Sequence, residues 1–234
     1  MKTAVLVSGQ MRSLDVCITS IQKHLLDRIG DYDLLAHVAD DEDAWKIDLL
    51  KPAKCVRIKQ PAFDEKNYIH RSGRGVIGIQ PVLRMFWSME EANKLKKAAE
   101  AERGSPYDWV IRLRPDTQFF SDIEDLATCA PSAIYLPTFC NYWGYQDRFA
   151  FGGSRAMDVY HEKSALVDTY VAEGGIFHPE SILKWAIDRA AVPVRRTGIL
   201  FDTLRKNGSR IRPVWEECYG DVLPAWRRAW LEAS

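Results

Sequence analysis

"YDWVIRLRPDTQFFS", residues 107–121, decides how this chain is read. Residues 109–113 read as a strand, Pro115 stops it, and Asp116 follows at once. Side chains alternate along a strand, so Arg112 and Arg114 share one face, and Asp116 keeps the same parity past the strand's end. Two guanidiniums on an interior strand are costly unless they meet anions. In an open parallel sheet, ligands bind beyond the carboxyl ends of the strands, which is where Asp116 falls. A carboxylate there either holds Mg²⁺ or Mn²⁺ bridging a diphosphate or pairs with an arginine in an internal network.

The flanking sequence predicts that sheet. Residues 3–8 form a continuous apolar run closing on Gly9, as a buried parallel strand does. Leu14, Cys17, Ile18, Ile21, Leu25 and Leu26 fall at helical spacing over 13–28, with Ser13 as the expected N-cap. "YDLLAHVAD" (32–40) and "AKCVRIKQP" (53–61) read as the second and third strands. The order strand, helix, strand, helix, strand implies parallel pairing through right-handed crossovers.

Further on, a glycine-rich loop (71–78) precedes a long helix over 80–104, with Pro81 in its first turn and Gly104 at its end. Short strands are expected at 132–137 and 147–153, helical periodicity over 154–172, a helix starting at Pro179, and a late strand in "VPVRRTG" (192–198). Trp226 and Trp230 lie four apart on a short C-terminal helix expected to dock on the body. The chain reads as a single domain over 1–234, with a ligand-binding half (1–120) and a second half (121–234).

Composition bounds the function. The 234 residues are 47% hydrophobic and 27% charged, and 32 basic residues balance 32 acidic ones. Zero net charge offers no case for nucleic acid. No apolar run reaches membrane length, so a soluble, cytoplasmic protein is expected, with peripheral membrane contact left open. Five widely spaced cysteines without a CxxC suggest neither a disulfide framework nor a zinc site.

Polar residues cluster at the expected strand ends. Ser8, Gly9, Gln10 and Arg12 follow strand one, where glycine permits close backbone approach and a helix N-terminus favours anions. The pattern is not GxGxxG, and no P-loop occurs. Asp40, Asp41 and Asp43 follow strand two, where an acidic residue often holds a ribose hydroxyl. Asp147 and Arg148 open a strand closing on two glycines, preceded by Tyr142, Trp143 and Tyr145, whose faces beside a carboxylate suit a sugar ring. Glu180 is a catalytic carboxylate or a helix-start charge. His178 has no partner at ligand spacing and reads as structural.

Taken in order, "SGQMRS", "YDWVIRLRPD", "DRFAFGGSRAMDVY" and "HPES" resemble a group of bacterial and viral glycosyltransferase-like proteins with a GT-A fold, over about residues 3–200. The resemblance implies an α/β, Rossmann-like fold with a mixed, mostly parallel central sheet flanked by helices. It also implies a nucleotide-diphosphate sugar as donor and a glycan-type acceptor hydroxyl. Ser8, Gly9, Gln10, Arg12 and Asp40 would meet the nucleotide. Asp116 would take the place of the DxD motif nearest the diphosphate and an Mn²⁺ or Mg²⁺ ion, with Arg112 or Arg114 steadying phosphate or Asp116. Glu180 would be the base, with Asp147 its rival.

The chain departs from that pattern in two places. Asp116-Thr117-Gln118 lacks the second carboxylate, and no histidine follows His178. Arg71, Arg74, Arg195 or Arg196 are then candidates to neutralise the diphosphate. The alternative is a non-catalytic relative that binds a glycan or a partner protein.

Overall fold

A computed structural model describes residues 1–69 and 78–211. Arg71 and Arg74 in the glycine-rich loop, and the expected C-terminal helix with Trp226 and Trp230, lie outside these residues. Ten strands are described: β1 (Thr3–Gly9), β2 (Tyr32–Ala39), β3 (Lys54–Ile58), β4 (Trp109–Leu113), β5 (Thr117–Phe119), β6 (Ile134–Pro137), β7 (Phe149–Gly152), β8 (Val194–Thr197), β9 (Phe201–Leu204) and β10 (Arg210–Ile211). The α-helices are α1 (Leu14–His24), α2 (Ile79–Arg103), α3 (Ser154–His161), α4 (Val167–Ala172) and α5 (Pro179–Arg189).

A seven-stranded sheet has the order β3-β2-β1-β4-β7-β6-β8. β1, β2, β3 and β4 pair in parallel, β7 is antiparallel to both of its neighbours, and β8 pairs parallel to β6. The mixed, mostly parallel α/β sheet expected from the sequence is therefore present. From β1 the chain winds outward to β2 and β3, then crosses back through α2 to β4 on the other side of β1. That reversal opens a crevice beyond the carboxyl ends of β1 and β4.

Alternation sorts the core into two layers. Val5, Val7, Ile111 and Leu113 pack with Leu14, Cys17 and Ile21 of α1. Ala4, Leu6 and Val110 face Met89 and Ala92 of α2, Tyr160 of α3 and Leu183 of α5. Each layer covers one side of the sheet, as buried parallel strands require.

The structure refines several local expectations. The link from β2 to β3 is a 3-10 segment, Ala44–Leu50, rather than an α-helix. Ser13 takes the expected N-cap position of α1, but its side chain makes no capping hydrogen bond; its hydroxyl donates to the Leu204 carbonyl at 3.2 Å, fastening the helix start to β9. A second sheet, β10-β9-β5, was not expected at all. Among the described residues no helix is long and apolar enough to cross a membrane.

The α2–α3 seam carries buried cations of two kinds. Lys96 meets Asp158 at 2.8 Å and Glu100 at 3.2 Å, so its charge is matched. Lys163 is just as buried but donates to the Tyr160 carbonyl at 3.0 Å and sits over the Phe86 and Tyr160 rings, with no carboxylate pairing it among the described residues. Burial pushes its amine down to about 7, from 10.5. Between those values the unfolded chain binds the proton and the folded chain does not, so stability rises with pH through that window. The slope from this one group approaches about 1.4 kcal/mol per pH unit. Lys163→Met is expected to remove it, measured as the difference between wild-type and variant urea melts across the window. Parallel pH profiles would contradict the assignment.

Candidate functional site

Strand register gathers the polar residues. Leu113 at the end of β4 pairs with Phe149 at the start of β7, because β7 runs in reverse. The residues just before β7, Asp147 and Arg148, therefore arrive beside Arg114. β5 pairs with β9 so that Thr117 faces Thr203, and Leu204 N donates to the Asp116 carbonyl at 2.8 Å. This register delivers Arg205 to the same place. Gly9, at the end of β1, has φ +101°, a conformation that glycine adopts without strain.

The start of α5 is locked to the segment before β7. Tyr145 N donates to the Glu180 carbonyl at 3.0 Å. A Cβ on Gly144 would stand 1.9 Å from that same oxygen, so only glycine fits. Cys140, Tyr142 and Trp143 hold positive φ values of 55°, 32° and 62°, and Trp143 is 81% exposed with its ring edge-on to His178.

Together these elements line a cleft of about 460 Å³. Its polar wall contains Arg12, Arg84, Arg112, Arg114, Arg148 and Arg205 against three carboxylates, Asp116, Asp147 and Glu180. Ser8, Gly9 and Gln10 also line it. Nine of the ten residues expected at the site, from the first half of the chain and from Asp147 and Glu180, thus converge; Asp40 is the exception.

Asp40 is exposed at the end of β2, does not line the cleft, and uses its backbone N–H to reach the Ile58 carbonyl at 3.0 Å. Its neighbour Asp41 accepts from Gln10 Nε2 at 3.2 Å instead. Arg195 and Arg196 lie on β8 at the sheet edge, and neither lines the cleft. Arg84 and Arg205 were not anticipated. The Asn207-Gly208 turn between two short strands was the signal that could have located Arg205, since that dipeptide marks a hairpin.

Arg114 and Asp116 form a two-point pair, with Nε to Oδ1 and Nη2 to Oδ2 both at 2.8 Å. Burial opposes ionisation of Asp116, but the Arg114 charge and hydrogen bonds outweigh it, and its pKa lies below the ordinary 3.8. Burial also works against the Arg114 charge, which Asp116 more than restores. Arg112 is deeper, with its pKa lowered to about 10 by burial; Nη1 donates to the Leu113 carbonyl at 3.1 Å and Nε has no partner among the described residues.

Glu180 is buried, and its pKa is raised, first by burial and then by the Asp147 carboxylate. His178 Nδ1 lies 3.2 Å from Glu180 Oε2. Burial depresses the His178 pKa. A buried carboxyl group with a raised proton affinity, beside a second carboxylate, is equipped to take or give a proton near neutral pH.

The divalent cation implied by the resemblance does not fit at Asp116. Both of its oxygens already accept from Arg114, and the charges of Arg12 and Arg148 act on it as well. Among the described residues no group of three or more His, Cys, Asp or Glu is placed to hold a metal ion.

A protein-family model described as "Domain of unknown function (DUF7796)" matches residues 1–214. No curated protein matches the chain.

Proposed function

We propose that this chain, which belongs to the DUF7796 family, transfers a sugar from a nucleoside-diphosphate donor to an acceptor hydroxyl. The observation that carries the reading is the content of a single cleft, in which an arginine-rich wall and the carboxylates Asp147 and Glu180 occur together at the strand-order reversal. The mixed, mostly parallel sheet accords with the GT-A resemblance.

The chemistry follows from those groups. The donor diphosphate lies against the arginines, near Gly9, where the backbone is open to close approach. Glu180 accepts the proton of the acceptor hydroxyl as its oxygen bonds to the anomeric carbon of the sugar. The bond from that carbon to the diphosphate oxygen breaks, and the electron pair leaves with the nucleoside diphosphate. Positive charge fixed around the departing oxygens lowers the barrier. Asp147 raises the proton affinity of Glu180 and so tunes the base.

A screen of common nucleotide sugars for nucleoside-diphosphate release tests the reading. Release above the buffer rate with at least one donor, lost in Glu180→Gln, is the expected result. No release from any donor together with retained glycan binding would favour the non-catalytic alternative.

A further inference from the structure

The cleft contains more positive charge than its carboxylates balance. Asp116 belongs to Arg114 through both oxygens. Among the described residues no carboxylate pairs with Arg12, Arg84, Arg148 or Arg205, and the first three spend their hydrogen bonds on neutral groups. Arg12 donates to Gln10 Oε1 at 2.6 Å, Arg84 to the Pro61 carbonyl at 3.0 Å, and Arg148 to Cys140 Sγ at 3.5 Å. Arg205 is held below its ordinary pKa by burial and by the like charges of Arg114, Arg12 and Arg148. Such mutual repulsion is relieved by an anion placed among the guanidiniums.

Two buried polar groups in the same wall point the same way. Ser8 and Arg112 line the cleft with side chains at most 4% exposed, and Ser8 Oγ and Arg112 Nε have no hydrogen-bond partner among the described residues. A buried donor without a partner is expensive, and an oxyanion in the cleft supplies the acceptor.

We infer that this cleft binds a diphosphate group through arginine side chains and Ser8 alone, without a divalent cation. Arginine's planar fork matches phosphate oxygens two at a time, so charge and geometry are supplied together. The inference deepens the proposed function and rests on it for the identity of the anion, while the arginine cluster itself stands apart from it.

Isothermal titration with inorganic pyrophosphate and with uridine, guanosine, cytidine and thymidine diphosphates tests it, first in EDTA and then with excess Mn²⁺. Binding in EDTA is expected, with an affinity that Mn²⁺ does not improve and that falls as salt is added. Arg148→Gln and Arg205→Gln, both at partly or fully exposed positions, should each weaken binding by about tenfold or more. Binding that needs Mn²⁺, binding in EDTA indifferent to both variants, or no binding under either condition overturns the inference. Pyrophosphate bound as tightly as every nucleotide would instead defeat the nucleotide-sugar reading and leave the arginine site standing.

Discussion

Asp116→Ala is expected to lower the melting temperature by on the order of 10 °C. The substitution removes the buried half of a two-point pair and leaves the Arg114 guanidinium, partly buried in the cleft wall, with its main counter-charge gone. Breaking such a pair from one side costs about 3–5 kcal/mol, a large part of the 5–15 kcal/mol that holds a typical domain together. A double variant, Arg114→Met with Asp116→Leu, should recover most of the loss, because the unpaired charge is gone. Thermal melts of the three proteins decide it. A single variant melting with wild type would mean that water reaches Arg114 freely and the pair contributes little. The pH dependence has a definite sign. The folded-state pKa of Asp116 lies below 3.8, so its contribution is complete above that value and disappears as acid titrates the native carboxylate.

Glu180→Gln is expected to cut sugar transfer by about 10²–10⁴-fold, with much less change in donor affinity. The amide keeps the size and loses the ability to accept a proton. For wild type, turnover should rise with pH as Glu180 deprotonates, at a pH well above the 4.5 of an ordinary glutamate. Burial is the largest cause of that displacement and Asp147 the next. Asp147→Asn therefore shifts the rising limb to lower pH, because it removes the neighbouring negative charge. Steady-state kinetics across pH check both points. A limb unmoved in Asp147→Asn would refute the coupling, and near-normal turnover in Glu180→Gln would assign the base elsewhere.

Local pattern carried much of the fold. Continuous apolar or alternating runs located β1, β2 and β4, and a period-3.6 run located α2, because each is long enough to bury a defined face. β5, β9 and β10 escaped notice: they are two to four residues long, too short for a period, and β5 finds β9 only by pairing across about 80 positions of chain, while β10 joins β9 through the Asn207-Gly208 turn. The site divides in the same way. Ser8, Gly9, Arg114 and Asp116 were legible because they follow recognisable strands. Arg205 was not, because its place depends on the β5–β9 register. Asp40 sits where a strand-end argument puts it, yet β2 is one strand removed from the crevice, and strand order is a long-range property. The partner of Asp116 was a matter of side-chain reach, with metal and arginine both open in the sequence; the geometry gives Arg114.

The reversed strand β7 has an evolutionary consequence. Parallel strands contribute only their exits to the cleft, whereas β7 contributes its entrance. The chain between Pro137 of β6 and Phe149 of β7 is held at both ends by the sheet. Ahead of Gly144 it can gain or lose residues without disturbing the exits of β1 and β4, whereas Asp147 and Arg148 at its end belong to the cleft wall. That stretch behaves as an exchangeable module, and divergence within the family is expected to appear there as changes of length, with Gly144 retained wherever α5 is docked against it.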